Sequence, residues 1–130
     1  AHEIVGGFLF DQSRSSLDKL LKSSNLWHRR VAILACLYFI RENQFEDIVR
    51  LCAKSHRDPE DLMHKACGWM LREVGKRDEN VLIDYLEKNA AQMPRTMLRY
   101  SIERLPEKTR KNFMAIKPAQ GTGRITARRK

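Results

Sequence analysis

The stretch DPEDLMHKACGWMLREVGKR, Asp58–Arg77, predicts one long amphipathic helix around which the rest of the chain can pack. Its start signals are Asp58 as the cap and Pro59 at the first helical position. Apolar side chains recur along it at the helical period and form one stripe, made of Met63, Cys67, Met70 and Val74. The sequence therefore predicts a helix that buries one face against neighbouring helices.

A second set of side chains lies about 200° around the same predicted helix, because each residue advances it by about 100°. This set is Lys65, Trp69, Arg72 and Lys76. Two interpretations stay open for it. In the first, Trp69 packs against a neighbouring helix and is covered by the aliphatic parts of the basic side chains. In the second, its ring stacks on a nucleotide while the cations contact phosphates.

The positive charge of the chain is concentrated near its C-terminus. The net charge is +9, yet residues 1–94 hold 14 basic and 14 acidic residues, while residues 95–130 hold 11 basic and 2 acidic ones. A polyanion is therefore a plausible partner, anchored by the C-terminal third. A solvated basic tail explains the same distribution equally well.

The composition is that of one folded domain without a membrane span. Hydrophobic residues make up 42% of the chain and charged residues 32%. The longest apolar run, Val31–Ile40, suits a buried helix and is too short to cross a bilayer, so no membrane partner is expected. The cysteines are odd in number and form no CxxC pair, which favours core positions over a zinc site or a disulfide framework. They are Cys36, Cys52 and Cys67.

Start signals and apolar periods predict helices throughout, with no strand. Besides the Asp58 helix, we expect helices over Ser15–Leu21, Leu26–Glu42, Phe45–Lys54, Pro94–Arg104 and Pro106–Ile116, one capped by Asp78, and the end of a helix over Ile4–Phe10. LWHRR at Leu26–Arg30 is similar to LMHKA at Leu62–Ala66, and MHKAC at Met63–Cys67 is similar to MLRYS at Met97–Ser101.

Those offsets, 36 and 34 residues, are typical of helix-pair repeats. We therefore predict an all-α fold of HEAT-like helix pairs, stacked as a short right-handed solenoid over residues 1–117, with a basic tail over 118–130. The repeat places Arg29, Lys65 and Arg99 at equivalent positions of three helices. On this basis they are expected to form a basic stripe along one face.

Three segments resemble the DNA alkylation repair family, the alkylpurine DNA glycosylases of the AlkD type. They are NLWHRRVAIL at Asn25–Leu34, LMHKACGWMLREVGKRD at Leu62–Asp78 and PRTMLRYSIERL at Pro94–Leu105. The resemblance implies HEAT-like repeats whose concave basic surface binds duplex DNA. It also implies hydrolysis of the N-glycosidic bond of N3- and N7-alkylated purines, with no metal or organic cofactor, in a cytoplasmic protein that associates with the nucleoid.

The resemblance also assigns residues to the DNA surface. Trp69 matches a tryptophan that contacts DNA beside the lesion, and Arg30 matches an arginine that contacts DNA near it. Lys65, Arg72 and Lys76 share the predicted face with Trp69, and we expect them to meet phosphates. The family's catalytic aspartate lies in a WDxxD-like segment, which the resemblance places just before Ala1. No catalytic residue is therefore expected within the 130 residues.

The resemblance and the predicted repeats lead to two further expectations. Four carboxylates that remain in the chain are interpreted as structural and not catalytic: Asp61 as a cap, and Asp47, Glu73 and Asp84 as surface or helix-pair partners. If a preceding repeat is missing, the apolar side chains near the N-terminus should form an exposed edge and support self-association. These side chains are Val5, Phe8 and Leu9.

Three function classes remain open at this point. The first is a DNA glycosylase, or the DNA-binding part of one, and the second is a non-catalytic DNA-binding protein with HEAT-like repeats. The third is a protein-binding helical scaffold, a common use of solenoids. Salt dependence separates the DNA binders from the scaffold, because phosphate contacts weaken steeply with salt.

Overall fold

The computed structural model describes residues 15–118, and every regular element in that range is helical. The helices are α1 Ser15–Leu21, α2 Leu26–Arg41, α3 Glu46–Lys54, α4 Asp61–Arg77, α5 Glu79–Asn89, α6 Arg95–Ser101 and α7 Glu107–Met114, with a 3-10 turn over Ser55–Arg57. The all-α fold class is confirmed. The expectations for the helix over Ile4–Phe10, for the apolar edge and for the tail beyond Pro118 lie outside the described residues.

Two helix starts follow directly from local sequence. The backbone N–H of Trp27 donates to Oδ1 of Asn25 at 2.8 Å, which caps α2. The backbone N–H of Asn80 likewise donates to Oδ1 of Asp78 at 3.1 Å, which caps α5. Each carboxamide or carboxylate oxygen satisfies an N–H that has no partner inside its helix, so both predicted caps are confirmed.

The predicted start of α4 at Asp58 is wrong. The helix begins at Asp61, and the cap residue Glu60 makes no side-chain capping bond. The carboxylate of Asp58 instead accepts from Nε of Arg29 at 2.8 Å and from the backbone N–H of Glu60 at 2.9 Å. The interpretation of Asp61 as a cap is also wrong, because it is the first residue of the helix proper.

The predicted apolar stripe of α4 is the centre of the core. Met63, Cys67, Met70 and Val74 are each fully buried. α4 packs between α2 and α6, while α3 packs on α2 and α5 packs on α4. This row of three helices, two of them backed by a further helix, is the arrangement of stacked helix-pair repeats. The right-handed sense of the stack stays a prediction.

α4 approaches α6 closely at one glycine. A Cβ atom on Gly68 would lie 2.5 Å from Cβ of Tyr100 and 2.8 Å from the backbone oxygen of Met97. The absence of a side chain therefore lets the two helices pack backbone to backbone at this point. The contact fixes how the outer face of α4 is presented beside α6.

The cysteines occupy core positions, as the sequence indicates. All three are buried thiols that form no disulfide: Cys36 on α2, Cys52 on α3 and Cys67 on α4. Within residues 15–118, no group of three or more His, Cys, Asp or Glu side chains is arranged to hold a metal ion. Over the same range, no helix combines the length and apolarity that crossing a bilayer requires.

Candidate nucleic-acid interface

The face of α4 opposite the core stripe is a mixed basic and aromatic surface. Lys65 and Lys76 are exposed, and Trp69 and Arg72 between them are half-buried. The stripe on the other side of the helix is fully buried, so a partner can reach these four side chains from the side of α4 that faces away from the core. The structure thus brings together the four α4 residues that the sequence assigns to DNA binding.

Each cation on this face is already paired with a carboxylate. Such pairing reduces the net field of the surface in the free protein. A polyanion would have to exchange places with these carboxylates. The pairs are Lys65 Nζ to Asp61 Oδ2 at 3.6 Å, Lys76 Nζ to Glu73 Oε2 at 3.0 Å, and Arg72 Nη1 to Glu103 Oε1.

Trp69 combines features of both interpretations. Its ring packs against the hydrophobic core, which accounts for part of its surface in purely structural terms. The rest of the side chain remains accessible between the basic residues. Only an edge or part of one face of the indole is therefore available to a nucleotide, which suits a lateral contact better than complete stacking.

The start of α2 carries a more exposed aromatic residue. Trp27 has 61% of its surface exposed, the largest fraction among the exposed large hydrophobic side chains of residues 15–118. The guanidinium carbon of Arg30, one turn further along the helix, lies 5.3 Å from the centre of its ring. This is the geometry of a cation–π contact. Nε of Arg30 is buried and makes no hydrogen bond.

The basic stripe expected from the repeat is incomplete. Arg29 turns toward the protein, where it pairs with Asp58 and donates from Nη1 to the backbone oxygen of Ser23 at 3.1 Å. Lys65 and Arg99 are exposed at the equivalent positions. Arg29 therefore joins α2 to the segment before α4 and is not available to a partner, so its assignment to the stripe is wrong.

A cleft borders the C-terminal half of α4. Its volume is about 370 Å³, and its lining includes the cations Arg72, Lys76 and Arg104 together with the carboxylate of Glu79. Arg104 is exposed, and no carboxylate pairs with it within the described residues. Because Arg72 and Lys76 are already paired, Arg104 is the lining cation left to attract an anionic group such as a phosphate.

The four carboxylates interpreted as structural are each paired with a cation on their own helix. Asp47 is buried, Glu73 is half-buried, and Asp61 and Asp84 are exposed. None of them is a free carboxylate in a cleft, which is what a group acting on a sugar cation would need. The pairs are Asp47–Arg50, Asp61–Lys65, Glu73–Lys76 and Asp84–Lys88.

Sequence reasoning missed three participants in this surface: Trp27, Glu103 and Arg104. The sequence pattern could have identified Trp27, because a tryptophan and an arginine three residues apart at a capped helix start share one face. The pairing of Glu103 with Arg72 joins residues 31 positions apart and leaves no local pattern. Arg104 lines the cleft only because α4 and α6 pack together.

Comparisons with known proteins agree with this picture. The model of the family described as DNA alkylation repair enzyme matches residues 1–105, which include α1 to α6 and the whole basic and aromatic surface of α4. Neither the curated proteins nor the solved structures contain a match to the chain. The family match covers most of the 130 residues. The chain belongs to the DNA alkylation repair enzyme family.

Proposed function

We propose that this chain binds duplex DNA containing alkylated purines through the outer face of α4 and the start of α2. In this role it is the DNA-binding part of a glycosylase that hydrolyses the N-glycosidic bond of N3- and N7-alkylated purines. The observation that carries the proposal is the grouping of Lys65, Trp69, Arg72 and Lys76 on one accessible face in a DNA repair family member.

Phosphates would replace the carboxylates that pair with these cations. Asp61 and Glu103 have 60% and 63% of their side chains exposed, so both can swing into solvent. A phosphodiester oxygen is a strong acceptor for lysine and arginine, and a duplex offers many in a row. Each exchange also releases counterions, so the binding free energy should depend strongly on salt.

The lesion itself suits this surface because alkylation at N3 or N7 makes the purine cationic. A cationic, electron-poor ring is attracted to the face of an indole, and Trp69 offers part of one. The same positive charge weakens the glycosidic bond, since the base departs as a neutral leaving group. The sugar then develops oxocarbenium character, which a nearby carboxylate would stabilise.

We propose that this carboxylate lies outside the described surface, on the aspartate-containing segment that the family resemblance places before Ala1. The support is that Asp47, Asp61, Glu73 and Asp84 each bind a cation of their own helix. As the family resemblance implies, we propose that the hydrolysis needs no metal or organic cofactor. We also propose, on the same ground, a cytoplasmic protein that associates with the nucleoid.

The test of DNA binding compares two lysines that are matched in structure. Lys65 and Lys88 each form an i, i+4 pair with an aspartate, and 45% and 71% of their side chains are exposed. Lys65→Gln should weaken duplex binding at low salt, whereas Lys88→Gln on α5 should not. Equal effects of the two variants would show that only net charge matters and would remove α4 from the interface.

Wild-type affinity should also fall as salt rises. Four phosphate contacts predict a loss of about 10²-fold between 50 and 200 mM monovalent salt. Trp69→Ala and Arg30→Ala should each reduce duplex affinity while helical content, followed by circular dichroism, stays the same. Binding that is insensitive to salt would instead favour a protein-binding scaffold.

Excision is tested with a duplex that contains N7-methylguanine. We expect negligible base release by the 130-residue chain and release by a longer chain that carries the aspartate segment. Changing that aspartate to asparagine should reduce the rate by about 10²–10³-fold or more, as expected when a group that stabilises the transition state is lost. Efficient excision by the 130 residues alone would mean that one of their own carboxylates is catalytic.

The four carboxylates are each paired with a cation, and this also favours a second candidate function. In it the chain is a non-catalytic DNA-binding protein with HEAT-like repeats. This candidate shares every expectation for DNA affinity and for salt. It differs in one outcome, because the longer chain would then bind alkylated duplex and release no base.

A further inference from the structure

Trp27 is exposed at a point where the helix geometry is well fixed. The Asn25 cap holds the backbone N–H of Trp27 at 2.8 Å, so the first turn of α2 has a defined orientation. The side chain nevertheless leaves 61% of its surface in solvent. A single exposed apolar side chain is common on soluble proteins and by itself indicates no function.

The second observation is the position of Arg30. Its guanidinium lies over the indole of Trp27, with 5.3 Å between the guanidinium carbon and the ring centroid. Within residues 15–118, no carboxylate pairs with Arg30, and its buried Nε has no acceptor. This distinguishes it from Lys65, Arg72 and Lys76 of α4, each of which is bound by a carboxylate.

The neighbouring arginine on this helix, Arg29, has a structural role. Arg29 is held by Asp58 and by the backbone oxygen of Ser23, and only 13% of its side chain is exposed. Arg30 points about 100° away from it around the helix. Arg29 therefore joins α2 to the segment before α4, whereas Arg30 has a positive charge that no carboxylate of residues 15–118 neutralises.

We propose that Trp27 is a positioning residue for DNA binding, whose indole holds the Arg30 guanidinium toward a backbone phosphate of the duplex. The inference rests on the proposed function. A carboxylate partner would occupy N–H groups of the guanidinium, whereas a ring face leaves the terminal Nη1 and Nη2 groups free to donate to phosphate oxygens. Contact with the ring also restricts a side chain that would otherwise lose conformational freedom on binding.

The test is a double-mutant cycle on duplex affinity at low salt. Trp27→Ala should weaken binding by about two- to fivefold, the effect expected from an exposed cation–π contact. Trp27→Phe should retain most of the affinity, because a phenyl ring still attracts the guanidinium. In the Arg30→Ala background, Trp27→Ala should have no further effect, because Trp27 acts through Arg30.

The salt dependence gives a readout that a purely structural role would not change. Loss of one phosphate contact lowers the slope of log affinity against log salt by about 0.9. The slope of Trp27→Ala should therefore move toward that of Arg30→Ala. Leu62→Ala is the control, because Leu62 is an apolar side chain with 41% exposure at the start of α4. Its affinity and slope should equal those of the wild type.

The outcomes separate the inference from the function on which it rests. If the wild-type chain binds DNA with the expected salt dependence but Trp27→Ala binds as tightly, the inference is overturned and the proposed function stands. Additive effects of Trp27→Ala and Arg30→Ala would also overturn it, since Trp27 would then contact DNA on its own. If the wild-type chain does not bind DNA, both are overturned.

Discussion

The guanidinium of Arg72 donates from Nη1 to the Oε1 atom of Glu103, across the boundary between α4 and the turn that follows α6. The arginine has 23% of its side chain exposed and the glutamate has 63%. The pair therefore joins a side chain that the fold holds in place to one that can rotate into solvent. In the proposed DNA complex, the carboxylate occupies a place that a phosphate would need.

Glu103→Gln should raise the affinity for duplex DNA at low salt. The variant removes the competing negative charge, and an exposed ion pair of this kind accounts for about two- to fivefold in binding. Fluorescence anisotropy with a labelled duplex measures the change. Glu107→Gln is the matched control, because Glu107 is an exposed carboxylate paired with Lys111 on α7. An equal gain in both variants would reduce the effect to net charge.

Gly68→Ala should destabilise the fold. The new Cβ would lie 2.5 Å from Cβ of Tyr100 and 2.8 Å from the backbone oxygen of Met97, so α4 and α6 would have to separate. We expect a decrease of about 1–3 kcal/mol in the free energy of unfolding, measured by urea denaturation.

Gly75→Ala on the same helix is the control for Gly68→Ala. Its Cβ would meet Cδ2 of Leu82 at 2.6 Å, which is the end of a flexible side chain. The higher helix propensity of alanine offsets part of the strain by about 0.5–1 kcal/mol. A larger loss for Gly75→Ala than for Gly68→Ala would contradict the assigned role of the α4–α6 contact.

Asp58→Ala should also lower stability, because it removes the partner of Arg29 where both side chains are mostly buried, 13% and 9% exposed. An unpaired charge would remain in a poorly solvated position. We expect a decrease of about 2–4 kcal/mol in the free energy of unfolding. Asp84→Ala, which breaks an exposed pair with Lys88, should cost less than about 1 kcal/mol.

His56 should make stability depend on mildly acidic pH. Burial, with a smaller contribution from the charge of His64, lowers the pKa of His56 below its usual 6.5. The unfolded chain therefore binds a proton at higher pH than the folded chain does. The stabilisation is complete above about pH 6.5 and is lost as pH falls through the lowered pKa of the folded state.

Thermal melting at about pH 7.5 and pH 5 measures this effect, since the two conditions bracket the usual histidine pKa. The wild type should lose more stability on acidification than His56→Gln, which cannot take up the proton. The ring of His56 shares a 2.7 Å hydrogen bond with the hydroxyl of Tyr85, which glutamine can replace in part. His28→Gln, at an exposed position, should behave as the wild type.

The sequence predicted the elements whose causes are local. Asn25 and Asp78 cap helices because their side chains reach backbone N–H groups two residues away. The buried stripe of α4 follows from the helical period alone. The start of α4 was misplaced because Arg29 draws the Asp58 carboxylate toward α2, a contact between residues 29 positions apart.

The sequence predicted which side chains of α4 share one face, but not which of them are paired with carboxylates; that this face binds DNA stays a prediction. The helical period correctly groups Lys65, Trp69, Arg72 and Lys76 on one face, because that grouping depends only on the sequence of α4. It contains no information on which cation is paired across helices, as Arg72 is with Glu103. It also contains no information on how exposed each of the two tryptophans is, because exposure depends on which helices pack beside them.

The burial of Cys36, Cys52 and Cys67 has a practical consequence for labelling chemistry. All three are inaccessible, and burial raises the pKa of the Cys52 thiol, so the reactive thiolate is disfavoured there. Toward a maleimide, the folded chain should therefore behave as if it had no cysteine. A single cysteine placed at an exposed position such as Lys88 would carry a fluorophore selectively, and slow modification of the native thiols would report opening of the core.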